Sequence, residues 1–107
     1  MSKDQTDRIS LLHFLAPKES IARLAKKFPS LKEAEGVSPF NSEQLMAWAL
    51  ESTPRPHARH AVQFILSLWD MHKRWVVGPF NVVEAFSSWD EEHKAVFLEW
   101  AQEPWFP

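Results

Sequence analysis

The chain has 107 residues, a formal net charge of −2 and no cysteine; this size suits one domain around one core. The missing cysteines exclude disulfides, thiolate metal ligands and cysteine nucleophiles together, and the near-neutral balance argues against a general affinity for nucleic acid. No apolar run approaches the roughly 20 residues of a membrane helix, and the polar start Met1 to Asp7 lacks a signal-peptide apolar stretch, so a cytoplasmic address without a membrane partner is expected.

Residues 1–7 read as a flexible N-terminus and residues 8–107 as a single helical domain. Ile9, Leu11, Leu12, Phe14 and Leu15 predict a short helix over 8–15, closed before Pro17, and that proline suits the first turn of the next helix. Ile21, Leu24, Ala25 and Phe28 keep the i, i+3, i+4, i+7 spacing of one helical stripe, predicting a helix over 17–28 that Pro29 stops. Residues 31–38, with Gly36, read as a turn or a brief extra helical turn.

Next comes Pro39-Phe40-Asn41, which recurs forty residues later as Pro79-Phe80-Asn81. Each Asn has the chemistry of an N-cap, and Gln44 or Glu84 three residues on completes a capping box. Phe40 has Leu45 to staple against, whereas Phe80 meets only Ala85 and must pack elsewhere. Similarity beyond the tripeptide is negligible, so the two copies read as separate helix starts rather than a structural repeat.

The first copy opens a helix over 42–51 with Leu45, Trp48 and Ala49 on one face. The longest helix follows, over about 57–76, with Ala58, Ala61, Val62, Ile65, Leu68, Trp69 and His72 in heptad-like spacing. Its narrow polar stripe of His60, Gln63, Ser67, Asp70 and Arg74 marks it as central, covered on most sides. A short helix over 82–87 and another over 89–102 complete the set. Ser88 with Glu91 supplies a further capping box, and Asp90, Glu91 and Glu92 place negative charge at the positive end of the helix dipole. Strand signals are almost absent, Val76-Val77 being the nearest. The predicted fold is therefore all-α: an irregular or orthogonal bundle of five to six helices around the long central one.

Six Trp and eight Phe make the chain aromatic-heavy. Residues 81–107 hold one Lys/Arg against six Asp/Glu, so the acidic charge gathers where the aromatics are dense. Aromatic anchors rimmed by charge are the composition of a protein interface. The favoured function is a small non-enzymatic interaction or regulatory accessory domain that uses Phe80, Trp89, Trp100, Trp105 and Phe106 to bind another protein or a second copy of itself. The competing structural reading wedges these rings between the last helices and the central one, with the tail Glu103-Pro104-Trp105-Phe106-Pro107 lying in a groove of its own domain.

A second function class is a helix-turn-helix-like nucleic-acid-binding regulator that contacts phosphates through Arg23, Lys26 and Lys27, with Lys18 and Lys32 nearby. The third is a metal or hydrolytic site: His57 and His60 are three apart at a helix start, a spacing that suits a divalent ion but needs a third ligand from elsewhere. His72 and His93 lie on or beside apolar stripes, where a neutral ring donating to a backbone carbonyl is expected. No catalytic residue, cofactor or resident metal is predicted, because nucleophile elbows, phosphate-binding glycine loops and His-Glu-x-x-His patterns are missing.

Overall fold

The computed structural model describes residues 17–51 and 56–107; the helix expected over 8–15 and the N-terminal residues 1–7 lie outside the described residues. Five α-helices follow in order: α1 Pro17–Lys27, α2 Ser42–Glu51, α3 Pro56–Trp69, α4 Val82–Ser88 and α5 Glu91–Gln102, with a 3-10 turn at Pro29–Leu31 between α1 and α2. Every regular element among the described residues is helical, as the patterning predicted. The central element is α3. Ala58, Ala61, Val62, Phe64, Ile65, Leu66 and Leu68 are buried along it, and α1, the 3-10 turn, α2 and α4 all pack onto it.

Both Pro-Phe-Asn sites start helices by the same means, the side chain of Asn41 accepting from Gln44 N–H and that of Asn81 from Glu84 N–H, each at 3.0 Å. In the first copy the return arm of the box is replaced: Asn41 N–H donates at 2.7 Å to the carbonyl of Gly36. Phe40 does more than serve its own helix, because its ring packs 4.9 Å from Trp69 at the end of α3.

The central helix stops at Trp69, several residues before the expected end near 76. Asp70 is the reason: its carboxylate accepts from His72 N–H and its carbonyl from Lys73 N–H and Trp75 Nε1–H. A short acidic side chain that captures the backbone two residues on competes with helix continuation. His72 is consequently exposed in a turn rather than seated on an apolar stripe, and Val76-Val77, the nearest thing to a strand signal, lies in a turn. The segment then folds back so that Val77 covers Gln63, whose amide donates at 2.8 Å to the Val77 carbonyl. Gln63, expected on the solvent side of α3, is thereby buried and satisfied.

At the last junction the helix starts at Glu91, two residues after the expected position. Ser88 donates to the Ala85 carbonyl within α4, and the N-cap of α5 is Asp90, which accepts from His93 N–H at 2.9 Å. An aspartate fills this place because one carboxylate serves both the helix end and the His93 ring.

Apart from the Phe40–Trp69 pair, most of the aromatic rings join one cluster. Phe28 contacts Phe64, Trp89 and His93; Phe80 sits among Phe64, Trp89 and Phe97; Phe97 also touches Phe86 and Trp100. The indole N–H of buried Trp89 donates to the His57 carbonyl at 2.9 Å, so the cluster includes no unsatisfied indole at that point.

Candidate functional site

The face of α1 carrying Ser20, Arg23, Leu24 and Lys27 lies beside the face of α5 carrying Glu99 and Gln102, with Glu103 at the C-cap of that helix, and between them is an open groove of about 670 Å³. Helical spacing aligns each set on one side of its helix. Trp100 and Trp105 complete the lining. The tail reaches the groove because Trp100 Nε1–H donates to the Trp105 carbonyl at 3.0 Å, turning the chain back on α5, and Phe106 meets Trp100 edge-on at 5.9 Å. Trp105 is half-buried, while Phe106 is 53 % exposed.

The walls carry opposite charge. Lys27 and Glu99 pair across the groove at 2.8 Å, both substantially exposed, a geometry worth at most about 1 kcal/mol. Among the described residues Arg23 and Glu103 form no ion pair.

Of the residues singled out from the sequence, Arg23, Lys27, Trp100 and Trp105 therefore meet at one place. Lys26 stands exposed on α1 outside the groove lining. Trp89 is buried and Phe80 half-buried in the aromatic cluster, where they hold α4 and α5 onto α3. The histidine pair at the start of α3 diverges. His57 packs 5.1 Å from the His93 ring, whereas His60 meets Gln63 at 3.1 Å. No group of three His, Asp or Glu side chains arranged to hold a metal occurs among the described residues.

A second arrangement surrounds His93. His93 is 1 % exposed, and its partners are side chains rather than the backbone carbonyl expected for it. Its Nδ1 lies 2.7 Å from Asp90 Oδ1 and its Nε2 lies 2.7 Å from Ser30 Oγ. The hydrogen bonds from His93, through backbone and ring, hold the Asp90 carboxyl below its usual range, with smaller contributions from the charges of His93 and His57. The spacing Asp90-x-x-His93 at a helix start was a readable signal for the first contact. Ser30, 63 residues away in sequence, carried none.

A lowered carboxyl has a stability consequence of definite sign. Ionised Asp90 stabilises the fold above the ordinary aspartate range, and that contribution is lost as pH falls through its folded-state value. Asp90→Asn keeps a competent N-cap while removing the charge. Wild type is expected to melt above this variant at pH 7, and the gap should close on acidification below about pH 4. A gap unchanged between pH 7 and pH 3 in thermal melts would show that the charge contributes nothing.

No protein-family model, curated protein or solved structure matches the chain. No helix among the described residues is long and apolar enough to cross a membrane.

Proposed function

We propose that the chain is a small binding module for another protein, whose partner lays a short segment across the groove between α1 and α5. The observation that carries this reading is the convergence of Arg23 and Lys27 with Trp100 and Trp105 on one concave surface. Partly exposed tryptophans beside an arginine are the residue types that dominate binding energy at protein interfaces. The groove recognises a segment with an apolar or aromatic residue for the floor of Leu24, Trp100 and Trp105, a carboxylate toward Arg23, and a basic group toward Glu103. The same acids disfavour a phosphate backbone, because Glu99 and Glu103 line the surface that Arg23 and Lys27 would present to it. Phe80 and Trp89 act in this reading as supports of the groove, and Phe106 as an anchor at its edge.

The test compares capture by the intact chain and three surface variants. Arg23→Glu and Trp105→Ala are each expected to weaken binding of the same captured protein by at least ten-fold, whereas Lys26→Glu, outside the groove, should leave it unchanged. Equal capture by all three variants would remove the groove from the interface. Sedimentation of the isolated chain separates the remaining alternative: a second copy as the occupant requires a dimer that Trp105→Ala dissociates.

A further inference from the structure

The 3-10 turn and the start of α5 bring together a serine, a histidine and an aspartate at hydrogen-bond distances in the order that nucleophilic acyl transfer uses. Ser30 Oγ meets one ring nitrogen of His93 at 2.7 Å and Asp90 meets the other at 2.7 Å. Ser30 is only partly buried, and it lines a shallow cavity of about 360 Å³ together with Pro29, Lys32, Glu33, Ala34 and Trp48. We propose that this is a second functional site, independent of the α1–α5 groove, in which Ser30 is a nucleophile toward carboxylic esters with small apolar acyl groups.

The roles follow from the geometry. Ionised Asp90 accepts the Nδ1–H of His93 and so fixes the tautomer whose Nε2 lone pair faces the Ser30 hydroxyl. Ser30 Oγ attacks the ester carbonyl carbon as its proton passes to Nε2; the carbonyl electron pair moves onto oxygen. Collapse of that intermediate breaks the bond to the alkoxy group, which leaves with the proton from Nε2, giving the alcohol and acyl-Ser30. Water then attacks the acyl-serine by the same proton route and releases the carboxylic acid. Lys32 lines the same cavity and forms no ion pair among the described residues, which makes it the cation on that surface available to a transient oxyanion. Trp48, Ala34 and Pro29 form the apolar lining for the acyl group. Ser30 and His93 are the catalytic residues here, and Asp90 is a positioning residue.

The site is tested with the intact chain, p-nitrophenyl acetate and a fluorophosphonate probe. Peptide mass spectrometry should place the phosphonyl adduct on Ser30, and Ser30→Ala should lose both the adduct and hydrolysis above the buffer rate. Loss of the His93 base is expected to lower acylation by about 100-fold or more, but a buried-histidine variant can unfold, so a second variant carries the test independently. Ser30→Cys introduces the sole thiol of the chain. Next to His93 it should be alkylated by iodoacetamide with a midpoint well below the free-thiol value of about 8.5, and adding Asp90→Asn should move that midpoint back toward the ordinary one. Absence of an adduct at Ser30, or a Ser30→Cys thiol that alkylates with the ordinary free-thiol profile, overturns the proposal.

Discussion

Gly36→Ala is expected to lower the stability of the fold by about 2–5 kcal/mol, combining a left-handed backbone penalty with overpacking. Gly36 has φ +87°, a conformation that L side chains rarely adopt, and an added Cβ would press into the backbone nitrogen of Leu45 while lying 2.7 Å from the Asn41 carbonyl oxygen. All of these neighbours are main chain at the first turn of α2, so no side-chain rotation relieves the contact. The Gly36 carbonyl is also the acceptor for Asn41 N–H, and any retreat of the loop breaks that bond and displaces buried Val37 and Phe40. Gly78→Ala is the matched control. Its φ is +95°, but the nearest atom to its added Cβ is Gln63 Nε2 at 3.4 Å, so only the backbone penalty of about 1–2 kcal/mol applies. Urea unfolding of the two variants separates strain from steric collision, and equal losses would show that α2 accommodates the methyl group.

Local chemistry was legible in the sequence where cause and effect lie within a few residues. Asn41 and Asn81 announce their helices because an N-cap acts on an N–H three positions away, and Pro29 ends α1 by its own covalent structure. The end of α3 differs from the expected one because apolar spacing continues through Leu68, Trp69 and His72, while the deciding event is one aspartate side chain turning back on the main chain at Asp70. Burial of Gln63 depends on the returning loop, and periodicity carries no information about that path. The site residues divide the same way. Arg23, Lys27, Trp100 and Trp105 were recognisable by type, but two distant segments had to pack side by side before they formed one groove. Ser30 had no signal at all, since its significance comes entirely from the ring of His93 across the tertiary fold.

Phe64→Ala should be the most damaging of the aromatic truncations, with a loss of about 3–5 kcal/mol, comparable to the whole stability of a marginal domain. Phe64 is 3 % exposed on α3, and its ring contacts Phe28, Phe80, Phe97 and Trp100 with centroids 5.1–5.9 Å away. Those four rings belong to the end of α1, the loop before α4, and α5. Removing the ring therefore opens a cavity where three segments meet, and each neighbour is too large to turn inward without uncovering another. Phe64→Leu keeps most of the volume and should lose far less. Phe80→Ala is the informative comparison, because Phe80 joins the same cluster but is only half-buried; its smaller expected loss distinguishes ring position from ring count. Trp100 adds a functional readout, since it is both a neighbour of Phe64 and part of the α1–α5 groove. If the groove depends on this packing, Phe64→Leu will retain partner capture and the native tryptophan emission, whereas Phe64→Ala will lose both at temperatures where residual helix is still seen by circular dichroism. Equal unfolding midpoints for Phe64→Ala and Phe80→Ala would place the keystone of the cluster elsewhere.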